Sequence, residues 1–64
     1  MKNMIKVERA RHDLTQAQLA EKLGISRQTV QAIETGKFNP SVNLALKMAR
    51  FFKVTVEYLF IIED

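Results

Sequence analysis

Apolar residues recur at helical spacing in five short stretches, and a serine or threonine stands just before four of them. Residues Asn3 to His12 read as a first helix, with Ile5, Arg9 and His12 near one face and Val7 and Ala10 beside it. Asp13 and Leu14 form a corner. Thr15 then caps a second helix over about 16–23, and Gln18 completes a capping box, "TQAQ". Gly24 sits where a left-handed residue ends that helix. Ile25 bridges, Ser26 caps a third helix over about 27–35, and Gly36 ends it in the same way. Pro40 forbids helix at Asn39. Ser41 caps a fourth helix, about 42–52. Val42, Ala45, Leu46, Ala49 and Phe52 give it one apolar stripe, and Leu44, Met48 and Phe51 a second, so it is expected to pack on two sides. Thr55 caps a short fifth helix from Val56 to about Leu59, and the tail "FIIED" has the β-branched and aromatic character of a short strand. The pattern predicts an all-α fold: a compact five-helix domain with a short terminal β-ribbon. The second and third helices are joined by Gly24, Ile25 and Ser26 alone, the spacing of a helix-turn-helix.

The third helix has an unusual distribution. Stepping about 100° per residue from Arg27, Thr29, Val30 and Ile33 gather in a narrow apolar seam. Arg27, Gln28, Gln31, Ala32 and Thr35 spread over a broad face with no ladder of Glu–Lys pairs. Glutamine bonds adenine N6 and N7 in a bidentate manner, arginine bonds guanine O6 and N7, and a small side chain such as Ala32 permits close approach. Ser26 and Thr15 open helices whose free N–H groups and positive dipole ends suit phosphate. Gln16 and Lys37 stand within reach of the same backbone. An exposed helix face is polar in any protein, so periodicity alone leaves both a solvated face and a DNA-reading face open.

Charge adds direction. The net charge is +3, but residues 1–53 hold all ten bases against four acids, a balance of +6, while residues 54–64 hold three acids and no base. A basic body with an acidic tail suits a polyanion on one side. A length of 64 residues fits one domain, 1–64. The absence of cysteine excludes disulfides and thiolate metal sites and fits a reducing cytosol. No apolar run approaches the ~20 residues of a membrane span, and no signal-peptide core follows Met1, so a soluble cytoplasmic protein is expected. His12 is the sole histidine and reads as a helix-end residue, not a ligand. Met1, Met4 and Met48 read as packing residues. No Ser-His-Asp or paired-carboxylate arrangement appears, so no enzyme activity, cofactor, metal or small-molecule ligand is expected.

The stretch "LTQAQLAEKLGISRQTVQAIETGKFNPS", 28 residues from Leu14 to Ser41, resembles the DNA-binding domain of the Cro and phage-repressor superfamily, the XRE-type helix-turn-helix regulators. Three elements carry the resemblance: L-T-Q-x-x-L-A, then G-I-S-R-x-T-V, then I-E-x-G-x-x-x-P. Weaker similarity covers the rest, including "VTVEYLF". The resemblance implies that the third helix enters the major groove of double-stranded DNA. Gln28 and Ala32 then match positions that face bases. Arg27 and Gln31 match positions facing bases or phosphates, and Gln16, Ser26, Thr35 and Lys37 match backbone contacts. Arg9 and Glu34 occupy the positions of a buried ion pair. Three positions depart from the family's pattern. Glu8 stands where leucine or isoleucine is usual, so the first helix is expected to turn slightly or to use Val7 instead. His12 replaces Lys or Gly. Lys53 replaces a glycine, with strain of roughly 1 kcal/mol if it is left-handed.

Phe38, in the loop before Pro40, reads as a plug over the core rather than a stacking contact to DNA. Phe51, Tyr58, Phe60, Ile61 and Ile62 are an apolar surplus that either folds back over the first helix or forms a twofold dimer interface in the segment 54–64 and its surroundings, and the interface is the reading taken. Lys2 to Met4 against Phe60 to Ile62 is the candidate ribbon. The expected function is a homodimeric DNA-binding regulator, a repressor at a twofold-symmetric operator. The alternative is an antitoxin-like or accessory module that binds another polypeptide through the apolar C-terminal surface.

Overall fold

The computed structural model describes residues 2–61. Along the chain run β1 (Lys2–Asn3), α1 (Ile5–Arg11), α2 (Gln16–Leu23), α3 (Arg27–Glu34), α4 (Val42–Phe52), α5 (Val56–Leu59) and β2 (Phe60–Ile61). The two strands pair antiparallel, Lys2 with Ile61 and Asn3 with Phe60. All-α architecture with a terminal ribbon is therefore the fold, and the ribbon closes within one chain.

Four helices start as their caps dictate. Thr15 Oγ1 accepts from the Gln18 N–H at 3.1 Å, and Gln18 Oε1 accepts from the Thr15 N–H at 2.8 Å. Ser26, Ser41 and Thr55 each accept from the N–H three residues on, all at 3.1 Å. These bonds satisfy donors that a helix start leaves free. Gly24 ends α2 at φ 72°, ψ 31°, a left-handed geometry that glycine adopts without strain. Lys53 does the same for α4 at φ 59°, ψ 42°, where its Cβ costs about 1 kcal/mol.

The core takes Ile5 from α1, Leu19, Ala20 and Leu23 from α2, Val30 and Ile33 from α3, Met48, Ala49 and Phe52 from α4, with Leu59 and Phe60 from the C-terminal end. Burying each large aliphatic side chain contributes about 1.5–3 kcal/mol. α2 and α3 pack most closely on each other.

Five sequence expectations need correction. α1 begins at Ile5, because Asn3 belongs to β1 and its side chain works as a clamp: Oδ1 accepts from the Ile5 N–H at 3.2 Å, and Nδ2 donates to the Ile33 carbonyl at 2.7 Å. Val7 does not replace Glu8 in the core. Glu8 is itself 2% exposed, and Val7 faces outward. The carboxylate is tolerated there because Tyr58 Oη donates to it at 2.9 Å and Arg11 Nη1 at 3.4 Å. Phe60, assigned to an interface, is 8% exposed and belongs to the core, held there by the ribbon. α4 is not covered on both flanks: Met48, Ala49 and Phe52 are buried and Leu44, Ala45 and Phe51 partly so, whereas Val42 and Leu46 lie open. Phe38 is 49% exposed and plugs nothing. Ile62 lies outside the described residues.

His12 closes α1 with Nδ1 2.9 Å from the Glu8 carbonyl oxygen. Its ring meets Phe52 edge-on at a centroid distance of 5.2 Å.

Candidate nucleic-acid interface

α3 buries only its seam. Val30 and Ile33 are in the core, Thr29 and Ala32 are half-buried, and Arg27, Gln28, Gln31 and Thr35 are exposed. The seam anchors the helix on α2, and the glycine turn between them fixes how far α3 protrudes. Gln28, Gln31, Ala32, Thr35 and Lys37 together line a shallow depression of about 200 Å³. One face thus gathers two amides, a small side chain and a cation.

A second depression, about 570 Å³, opens at the start of α2. Arg9, Thr15, Gln16 and Arg27 line it, so a side chain from the start of α3 shares a concavity with the start of α2. Neither helix has an acid in its first turn, so nothing on the helix itself offsets the positive dipole end. In α3 the cap occupies the Thr29 N–H, and the Val30 N–H donates to the Ser26 carbonyl. The N–H groups of Arg27 and Gln28 are left at the open end. Asp13, at φ 57°, lines the α2 depression and is its one acid.

Several of these side chains are partly committed. Thr35 Oγ1 donates to the carbonyls of Gln31 at 3.0 Å and Ala32 at 3.2 Å. Its hydroxyl must turn outward before it can donate to anything else. Ser26 Oγ lies 2.8 Å from Thr29 Oγ1 as well as accepting at the cap. Lys37 sits in the turn after α3, its N–H tied to the Ala32 carbonyl and its side chain exposed.

Arg9 and Glu34 are brought together. Arg9 Nε donates to Glu34 Oε2 at 2.8 Å, and Nη2 to Oε1 at 3.3 Å. Arg9 Nη1 also donates to the Leu14 carbonyl at 2.9 Å. A third member, not signalled by any local pattern, joins them: Gln16 Nε2 donates to Glu34 Oε1 at 3.2 Å. One amide hydrogen and the amide oxygen of Gln16 stay available. Lys47 was also missed. Its Nζ donates to the Leu23 carbonyl at 2.8 Å, closing the end of α2 from α4. Both bonds join residues far apart in sequence, and no local pattern announces them.

Among the described residues no group of three His, Cys, Asp or Glu side chains is arranged to hold a metal. No helix among the described residues is long and apolar enough to cross a membrane.

A helix-turn-helix family profile matches residues 5–59, from the start of α1 to the end of α5. The chain is 59% identical to an HTH-type transcriptional regulator of Methanocaldococcus jannaschii, over all of this chain and 97% of that protein. It is 45% identical to an HTH-type transcriptional regulator of Archaeoglobus fulgidus, over all of this chain and 91% of that one. It is also 45% identical to the HTH-type transcriptional regulator YgzD of Bacillus subtilis, over all of this chain and 97% of that one. With the profile matched from α1 to α5 and these relatives aligned over the whole chain, the chain belongs to the XRE-type helix-turn-helix family of DNA-binding transcriptional regulators.

Proposed function

We propose that this protein is a homodimeric, sequence-specific repressor that acts in the cytoplasm by covering its operator. α3 lies in the major groove. Gln28 and Gln31 read base edges through their amides, Arg27 reads a guanine or holds a phosphate beside it, and Ala32 lets the helix approach closely. Gln16, Ser26, Thr35 and Lys37 hold the backbone and set the register of α3 without reading sequence. Gln16 does so from a fixed position, since Glu34 already holds one end of its amide.

The observation that carries this reading is the exposed face of α3, where Gln28, Gln31 and Lys37 surround the small Ala32 in one concavity. A merely solvated helix has no need of that gathering. The open ends of α2 and α3, each without an acid in its first turn, support phosphate contacts on either side.

The test is anisotropy titration of a labelled duplex at several salt concentrations. Phosphate contacts make affinity for any duplex fall steeply with salt. Binding that ignores salt would overturn the reading.

A further inference from the structure

We infer that Asn3 is a positioning residue for base reading: from β1 it grips the main chain at the far end of α3 and fixes the tilt at which that helix meets DNA. The inference rests on the DNA reading of the proposed function and not on its homodimer. The eight residues of α3 span about 12 Å. A tilt of about 5° about its start would carry the far end about 1 Å. That exceeds the window of roughly 0.5 Å within which a hydrogen bond to a base edge holds. Gln31 and Ala32 directly precede Ile33, the residue that Asn3 grips.

The two ends of α3 are anchored differently. Its start is set locally, by the glycine turn and the Ser26 cap. Beyond its far end, the Lys37 and Phe38 N–H groups donate to the Ala32 carbonyl. Those bonds fasten the following loop to the helix, not the helix to the rest of the domain. The buried seam of Val30 and Ile33 resists separation, but apolar packing is non-directional. Arg9 and Gln16 hold the Glu34 carboxylate at 2.8 Å and 3.2 Å. That carboxylate ends a side chain whose bonds can rotate while the helix moves. Asn3 Nδ2 instead donates at 2.7 Å to the Ile33 carbonyl, which is part of the helix itself. Among the described residues, no other hydrogen bond reaches the α3 main chain from outside residues 26–38.

The grip is itself held. Asn3 pairs with Phe60 in the ribbon, and the next N–H, that of Met4, donates to the Leu59 carbonyl at 2.8 Å. Asn3 Oδ1 accepts from the Ile5 N–H at 3.2 Å. An N–H only donates and a carbonyl only accepts, so one orientation of the amide serves both partners. The Ile33 carbonyl accepts from the Gly36 N–H at 3.0 Å as well, so both of its lone pairs are used. A carboxylate in place of the amide would keep the bond to Ile5 and lose the one to Ile33, since it has no donor.

The experiment measures base preference with the full chain. Anisotropy is read on the duplex enriched from a random pool, on a random duplex, and on duplexes carrying each single base-pair change. Asn3→Ala and Asn3→Asp are compared with the wild-type chain below their melting temperatures, set by circular dichroism. Each is expected to lower the ratio of enriched-site to random-duplex affinity at least about five-fold. The loss should fall at the base pairs whose preference Gln31→Ala also erases, and spare those erased by Gln28→Ala. The added charge of Asn3→Asp acts on every duplex alike and cancels in the ratio. A purely structural role would weaken all duplexes by the folded fraction and leave the ratio unchanged. Folded variants with the wild-type ratio overturn the inference and leave DNA reading intact. Loss of the fold in both variants would make Asn3 a stability residue and overturn it too. A wild-type chain that enriches no site overturns the DNA reading, and this inference with it.

Discussion

Arg9 and Glu34 join the first helix to the end of the third through two hydrogen bonds, Nε to Oε2 at 2.8 Å and Nη2 to Oε1 at 3.3 Å. Glu34 is largely buried and Arg9 only slightly open. A paired charge so placed contributes little net stability, but one stranded by removal of its partner is costly. Glu34→Leu and Arg9→Met should each lower unfolding free energy in urea by about 3 kcal/mol. The double variant should lose less than the sum. Additive losses would mean that the two residues act independently.

Tyr58 is the chain's single tyrosine, so its titration can be followed without interference. Its hydroxyl donates to the buried Glu8 carboxylate at 2.9 Å. That hydrogen bond favours the neutral phenol and raises the pKa above 10.0; partial burial and the negative charge of Glu8 push the same way, and Arg11 opposes them. The folded state thus holds the proton more tightly than the unfolded state. The stability linked to this bond is full below pH 10.0 and is lost as pH rises through the folded value. Phenolate absorbance should show a higher midpoint in the folded chain than in urea. Glu8→Leu should bring the two together. Equal midpoints in the wild-type chain would remove Glu8 from the account.

Lys53 holds a left-handed conformation at φ 59°. Glycine adopts it freely but loses more chain entropy on folding. The strain relieved is the larger of the two effects, so Lys53→Gly should gain about 0.5–1 kcal/mol. For a domain of this size that raises the melting temperature by roughly 2–8 °C. A lower melting temperature would mean that the lysine side chain makes a contact worth more than the strain.

Gln28 and Lys37 line the same depression yet are assigned different work. Gln28→Ala should cost about 1–3 kcal/mol on the preferred site and little on random duplex. Lys37→Ala should weaken every duplex alike and reduce the salt slope by about one. Anisotropy on matched duplexes separates them. Equal losses for Gln28→Ala on both duplexes would refute base reading by that residue.

The helices were legible because their starts and stops are local chemistry. Thr15, Ser26, Ser41 and Thr55 cap within three residues of themselves, and Gly24 turns within its own dihedral angles. The α3 face was legible for the same reason, since helical spacing assigns residues to faces. Glu8 was not, because its acceptability in the core depends on Tyr58, fifty positions away. Asn3 was misread for a similar reason: its partner is the Ile33 carbonyl, and its strand exists only because Phe60 comes alongside. Of the apolar surplus, Phe60 lies in the core and not at the surface expected for it. Hydrophobicity marks what seeks burial, and it cannot tell a core that closes around Phe60 from a surface that leaves Val42 in solvent.

In the proposed function α3 reads sequence in the major groove from a twofold dimer. Selection from a random duplex pool at near-physiological salt tests it most directly, with the bound DNA sequenced. The expected result is an enriched, twofold-symmetric motif whose half-sites lie about 10 base pairs apart, one turn of DNA. Salt-sensitive binding to every duplex with no motif enriched would contradict it.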